Sequence, residues 1–175
     1  MAATTTNLYD TAVPVFEAML GNLSTLLDKA EAHAAAKGYD PAVLLQSRLA
    51  PDMLPLVRQV QIACDAAKFG VARLTGVEAP KFADDEASFD QVKARIAKTR
   101  TFVTSVPREA FEGAAARRVE VPSRAKAYVF DGRTFLLQWA MPNFYFHVVT
   151  TYDILRHNGV EIGKRDYLGP VPTLE

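Results

Sequence analysis

His147 is the residue of this sequence whose type and surroundings best suit chemistry. It lies in "NFYFHVVTTYDIL", among mostly apolar neighbours. Asn143 precedes it by four residues, so in a helix the two share one face, with Thr151 beside them. A histidine in this setting can act as a base, bind a metal ion or make a structural hydrogen bond. The elements around it must decide between these roles.

The helical stripe that carries His147 could face either solvent or a polar pocket inside the protein. A polar stripe on an amphipathic helix usually faces solvent. Here, however, the polar residues are short and uncharged, and the stripe begins and ends with apolar residues. That pattern favours a polar pocket inside a bundle, where buried His and Asn side chains need hydrogen-bond partners. Such a pocket can be structural as well as functional.

Partners for this stripe are predicted on an earlier helix. Gln61 and Asp65 are four residues apart and flank an apolar seam. If the two helices face each other, both side chains converge with the stripe into one pocket. A contact between Asp65 and His147 would orient the imidazole and raise its basicity. The structural alternative pairs Asp65 with Lys68 or Arg73.

The remaining histidines and the cysteine have structural interpretations. His157 lies in a final helical turn, where positive charge complements the helix dipole. His33 lies among charged residues, and we expect it at the surface. Cys64 falls on an apolar seam without a basic neighbour, so packing explains it. The sequence contains no Gly-rich phosphate loop, HExxH, Cys-x-x-Cys or Gly-x-Ser-x-Gly motif.

Four helical stretches must position these residues. Apolar residues spaced three and four apart predict helices at about 11–37, 54–74, 86–105 and from 133 or 134 to 156 or 157. Pro142 lies inside the last helix and should kink it near Gln138. Alternating apolar residues at 119–121 and 128–130 predict a small β-ribbon, and Asp131-Gly132 reads as a turn. The sequence therefore predicts a mainly all-α four-helix bundle with a ribbon before the last helix.

The composition narrows the class of protein. A chain of 175 residues favours a single domain over 1–175. Because 20 basic residues balance 20 acidic ones, neither nucleic acid nor acidic lipid is an expected partner. One cysteine, no recognisable signal peptide and no long apolar run favour a cytoplasmic protein that does not enter membranes.

Several segments carry a resemblance to a known group of proteins. "LDKAEAHAAAKG", "RLAPDMLPLVRQVQIACDAAK", "ARLTG" and "NFYFHVVTTYDILRHNGVEIGKRDYLG" resemble a bacterial branch of the DinB/YfiT-like superfamily of metalloenzymes, a branch catalogued as a domain of unknown function. The last helix is also similar to the superfamily's HxxxHxGQ pattern, which is followed by Leu-Arg and Gly. His147 matches the second histidine, and Leu155, Arg156 and Gly159 match the later residues.

This resemblance implies an up-down-down-up four-helix bundle that is often dimeric. It also implies a divalent metal held by three histidines, one on the second helix and two on the last, with thiol-dependent transferase or isomerase activity in some members. Of the three histidines only His147 is present, since Asn143 takes the other position on the last helix and the second-helix position falls near Gln61. Amide oxygens bind zinc-type ions weakly, so the sequence does not predict a tight transition-metal site.

Two functional hypotheses follow. The first is an uncharacterised DinB-like protein whose pocket comprises His147, Asn143, Gln61, Asp65 and Thr151, with His147 as a base or as the single protein ligand of a weakly bound metal in a degenerate enzyme. The alternative is a non-catalytic bundle that binds a small ligand or a protein partner. We also predict a homodimer, because two apolar lines on the last helix exceed what one bundle core needs.

Overall fold

The bundle begins with a long helix, α1, at Leu8–Lys37. The structure is a computed structural model that describes residues 7–173. The Asn7 side chain caps α1 by accepting a hydrogen bond from the Tyr9 N–H at 2.9 Å. Gly38 ends the helix at φ 74°, in the left-handed region that favours glycine. The predicted apolar face is confirmed as buried: Phe16, Leu20, Leu23, Leu27, Ala30, Ala34.

The second long helix, α3, follows a connector that contains a short helix, α2, at Ala42–Leu45. Helix α3 spans Leu56–Thr75 and starts two residues later than predicted, because Pro55 provides its N-terminal boundary. Its predicted seam is buried: Val57, Val60, Cys64, Ala67, Val71, Leu74. This seam orients the polar residues of α3 to either side of the core.

Helix α4 spans Phe89–Ser105 and begins with a capping box. The Gln91 N–H donates to the Ser88 hydroxyl at 3.3 Å, and the Ser88 N–H donates to the Gln91 side chain at 3.1 Å. The predicted start at residue 86 was therefore three residues early. The acidic run before α4 has another role: Asp84 and Glu86 bind Arg95 within the helix.

The predicted β-ribbon is confirmed. Strands β1, Arg118–Val121, and β2, Tyr128–Asp131, pair in antiparallel fashion. The Asp131-Gly132 step is not the turn between them. Asp131 caps the following helical turn, α5 at Gly132–Thr134, by accepting from the Thr134 N–H at 2.9 Å. A Cβ on Gly132 would lie 1.9 Å from the Ala114 carbonyl oxygen, so a side chain does not fit there.

The last long helix contains the disturbance predicted around Pro142. After α5 the chain winds as a π-helix at Phe135–Ala140 and then as α6 at Met141–His157. Pro142 has no N–H to donate to the preceding turn, and the wider π-helical winding includes Gln138, the residue four positions before it. This segment packs against α3 and places Phe135 and Trp139 beside Tyr128 and Phe130 of β2.

The four long helices form the predicted bundle, with the ribbon before the last helix. Helix α3 packs against α4 and α6, whereas α1 packs against α4. A short C-terminal helix, α7 at Lys164–Leu168, returns to α1, where the Asn22 amide donates to the carbonyls of residues 167 and 168. Across residues 7–173, no helix combines the length and apolarity that a bilayer crossing requires.

Candidate functional site

His147 is buried between α6 and α3 and is 8% exposed. Its Nδ1 lies 2.7 Å from the side-chain oxygen Oε1 of Gln59. The Gln59 amide nitrogen donates to the Leu54 carbonyl at 2.9 Å, which fixes the direction of this side chain. Because Oε1 can only accept a hydrogen bond, His147 must carry its proton on Nδ1. The lone pair of a neutral imidazole then lies on Nε2.

The surroundings favour this neutral form. Burial lowers the pKa of His147, because a charged imidazolium would lose its hydration. Phe146 approaches the imidazole edge-on, with ring centroids 5.2 Å apart. Within residues 7–173, no polar group forms a hydrogen bond with Nε2. The site therefore holds an oriented, uncharged histidine with one nitrogen available to accept a proton or a hydrogen bond.

The predicted partners on α3 do not contact His147. Gln61 instead accepts from Arg58 at 2.6 Å and donates to Glu86 at 2.6 Å. Residues two positions apart on an α-helix differ by about 200° in direction, so Gln59 faces α6 while Gln61 faces α4. The prediction that Gln61 lies in the His147 pocket is therefore wrong. Sequence periodicity placed a glutamine on each side of the seam without showing which side α6 covers.

Asp65 is also turned away from the imidazole. Its Oδ1 lies 2.9 Å from the Lys68 ammonium and 2.9 Å from the Arg95 guanidinium. The predicted Asp65–His147 contact is not formed, and the structural alternative of a pair with Lys68 is found. The Asp65 side chain keeps 31% exposure, so it can still present an oxygen to the surface of α3.

The polar stripe of α6 is divided between core and surface. Thr151 is fully buried, and its hydroxyl donates to the His147 carbonyl at 2.9 Å within the helix. Thr151 therefore satisfies its own hydroxyl through the backbone without bonding the imidazole. Asn143 is exposed. The structure thus separates Asn143 from the buried His147–Gln59 pair, although both lie on α6.

Asn143 and Asp65 meet in a different place. They line a groove of about 190 Å³ between α3, the π-helical segment and β1, hereafter the α3–α6 groove. Its other walls are mostly apolar or aromatic: Ile62, Ala66, Phe69, Val121, Phe135, Trp139, Ala140. Arg73 also lines it. Two of the predicted pocket residues therefore share a concave surface, but His147 is not among its lining residues.

Arg73 does not pair with Asp65, whose partners are Lys68 and Arg95. The Arg73 guanidinium lies 4.9 Å from the centre of the Phe69 ring and 6.0 Å from that of Phe135. Partial burial lowers the pKa of Arg73. The spacing of residues 62, 66, 69 and 73 marks one face of α3, which is the pattern that would have identified this arginine.

Asp65 also belongs to a second polar region, which we call the Arg95 cluster. It comprises Arg58, Gln61, Asp65, Lys68, Asp84, Glu86 and Arg95. Arg95 is 2% exposed and binds three carboxylates at 2.6–3.0 Å. Phe82 covers it, with the guanidinium 4.8 Å from the ring centre. The cluster fixes the segment before α4 against α3.

The other titratable candidates occupy structural positions. His157 is exposed in the last turn of α6, as its sequence position predicted. His33 is half-buried and meets Tyr39 edge-on, with ring centroids 6.2 Å apart. Cys64 is fully buried, and burial raises the pKa of its thiol to about 12. A thiol held protonated in the core is a packing group and not a nucleophile.

The donor set does not fit the three-histidine metal site that the family resemblance implies. In the part of the chain from Asn7 to Thr173, no three His, Cys, Asp or Glu side chains are grouped to hold a metal ion. His147 offers a single nitrogen, the Gln59 amide is occupied by His147 and Leu54, and Asn143 lies outside the pair. No metal-dependent step follows from these residues.

Comparisons with known proteins agree with the bundle architecture. Residues 8–168 match a family model described as a domain of unknown function, DUF1993. A crystal structure of a DinB family member from Shewanella denitrificans is 48% identical, with alignment over 96% of this chain and 95% of that one and a TM-score of 0.90. Curated proteins give no match.

Proposed function

The chain belongs to the DUF1993 family and has a DinB-like fold, and from this premise we propose that it binds a small ligand in the α3–α6 groove. Fold kinship alone does not transfer chemistry, so the proposal rests on the site. The observation that carries it is the meeting of Asp65 and Asn143 in a groove with aromatic walls.

The composition of the groove is that of a ligand site. Such sites are concave and mainly apolar, with a few polar groups that fix orientation. Here Phe69, Phe135 and Trp139 offer flat apolar contacts, while the Asn143 amide can both donate and accept. The π-helical segment supplies two of these aromatic residues, and such segments are frequent at functional sites.

A blocked groove tests the proposal. Ala66 lines the groove, and Ala66→Phe would fill it. We expect small molecules that raise the melting temperature of the wild type to lose this effect in the variant, since binding stabilises by about 2.7 kcal/mol at a hundredfold excess over Kd. Ala97→Phe, at an exposed position on α4, is the matched control. Equal stabilisation of both variants would place the ligand elsewhere.

The hydrogen-bond chain from Leu54 through Gln59 to His147 favours a second candidate, in which His147 acts as a general base through Nε2. Long-range proton–nitrogen NMR of the histidines tests it directly. We expect the Nδ1–H tautomer and a pKa below the ordinary value. A proton on Nε2 would remove the proposed base.

We further propose that a second copy of the chain covers the outer face of the last helix. Two large apolar side chains three residues apart on α6 remain exposed there: Phe146 at 57% and Val149 at 39%. Burying such a patch against its own copy would remove it from water. Light scattering should show a dimer that Phe146→Lys dissociates, whereas a monomeric wild type at high concentration would exclude this interface.

A further inference from the structure

Arg73 differs from the other cations that are withdrawn from solvent on α3 and α4. Lys68 and Arg95 are almost fully buried, and each contacts carboxylates. Arg73 is half-buried, yet among the described residues it has neither a hydrogen-bond acceptor nor a carboxylate within salt-bridge distance. A cation that loses hydration normally gains a partner in return. The bundle itself supplies only aromatic rings.

The ring contacts of Arg73 leave the N–H groups at the edge of its guanidinium available to bind a planar anion. Phe69 and Phe135 lie beside the Arg73 guanidinium, at 4.9 and 6.0 Å from its carbon. Contacts with aromatic rings do not use the N–H groups at the edge of the guanidinium. These N–H groups match the two oxygens of a carboxylate, which arginine binds in bidentate fashion.

The end of the groove opposite Arg73 is lined by an acidic side chain, that of Asp65. Asp65 lies eight residues before Arg73, roughly 12 Å along the axis of α3. Lys68 and Arg95 both contact Asp65, so the charge of this carboxylate is largely compensated within the protein. Trp139 and Phe135 lie in the wall of the same groove. A ligand with one charged end and an apolar body suits this arrangement.

We propose that the ligand of the α3–α6 groove is a small carboxylate with an apolar or aromatic body, anchored by Arg73. The inference rests on the function proposed above and names its ligand class. A monoanion is favoured over a phosphate dianion, because Arg73 is the single cationic residue that lines the groove in the described chain. Asn143 and Asp65 line the groove away from Arg73, so the carboxylate of the ligand does not need them.

Trp139 provides the readout, since it is the only tryptophan in the sequence. The probes are three matched pairs of acid and amide: phenylacetate, 3-phenylpropanoate and hexanoate, each with its neutral amide. We expect at least one acid to change Trp139 fluorescence saturably and to bind about tenfold more tightly than its amide, the size of one charge-assisted contact. Arg73→Gln should abolish this preference, and Arg73→Lys should restore part of it.

The binding test includes a control variant in which a cation far from the groove is removed. Arg165→Gln removes an equally charged, exposed residue on α7 and should keep the preference, while circular dichroism verifies that each variant folds. If acid and amide bind equally, or if Arg73→Gln keeps the preference, the carboxylate inference is wrong although the groove still binds ligands. If no acid binds while ligands from the Ala66 test do, the inference fails alone. If neither binds, both proposals fail.

Discussion

The His147–Gln59 pair and the Arg95 cluster are both buried against α3, but they differ in charge. The first joins two neutral side chains through one bond of 2.7 Å and faces α6. The second holds a guanidinium that is 2% exposed among three carboxylates and faces α4. One helix thus carries two kinds of polar interior on opposite sides of the same apolar seam.

The difference shows which polar groups remain available for chemistry. A buried charge must be compensated from several directions, because its desolvation costs several kcal/mol. The two terminal nitrogens of Arg95 are therefore engaged by three carboxylates and hold the segment before α4, while its buried Nε has no hydrogen-bond partner among the described residues. A neutral imidazole needs less compensation, so one partner on Nδ1 is enough and Nε2 stays unpaired within residues 7–173. The cluster with more polar contacts is the structural one.

The largest effect is expected from breaking the charged region. Arg95→Met leaves Asp65, Asp84 and Glu86 facing one another without their common cation. We expect the free energy of unfolding to fall by about 3 kcal/mol, the lower end for a broken buried ion pair, because Asp65 and Asp84 keep partial exposure. Urea unfolding followed by circular dichroism measures the change.

The matched control for this prediction is Arg118→Met on β1. The Arg118 guanidinium also binds a carboxylate, that of Glu120, but the side chain is 68% exposed. Exposed pairs contribute about 0–1 kcal/mol. If the two variants lost equal stability, burial would not distinguish the Arg95 cluster from a surface pair.

A smaller effect is expected from breaking the neutral pair. His147→Leu leaves the Gln59 oxygen buried without a donor, which costs about 1–3 kcal/mol. Adding Gln59→Met removes the second polar group and should recover part of that loss. A double-mutant cycle measures the coupling, which we expect at about 1 kcal/mol. Additive losses would mean that the two side chains do not interact in solution.

The smallest expected effect is a difference in pH dependence: the His147–Gln59 pair and the Arg95 cluster should lose their contributions to the free energy of unfolding in different pH ranges. Because the folded-state pKa of His147 lies below its unfolded value of about 6.5, the unfolded state takes up the proton first. The stabilising contribution of neutral His147 is therefore complete above pH ~6.5 and is lost as the pH falls through the folded-state pKa. Below pH ~6.5, His147→Leu should flatten the decline in unfolding free energy seen in the wild type.

The Arg95 cluster should lose its contribution to the free energy of unfolding at a lower pH than the His147–Gln59 pair does. Burial alone would raise the pKa of Glu86, but hydrogen bonds from Gln61 and Arg95 outweigh it and lower the pKa. Its contribution is present above the unfolded value of about 4.3 and is lost as the pH falls further. Unfolding free energies of the wild type and both variants at several pH values test this order. Identical slopes for the wild type and His147→Leu just below pH ~6.5 would contradict it.

Local patterns predicted much of this architecture. The apolar faces of the helices, the β-ribbon and the disturbance at Pro142 all depend on residues within a few turns of one another. The burial of His147 was also predictable, since its stripe lacks charged residues. The partner of His147 was not, because Gln59 and Gln61 lie on opposite sides of one seam and the pattern does not show which neighbouring helix covers each side.

The sequence by itself determined the helices and their buried faces and favoured an inward-facing histidine, because helical periodicity is a local property. Only the tertiary structure decided that Gln59 orients His147, that Asp65 joins Arg95, and that Asn143 faces a groove with Arg73. These pairings join residues far apart in the chain. They depend on which helix faces are brought together, and that choice is made by packing the whole core.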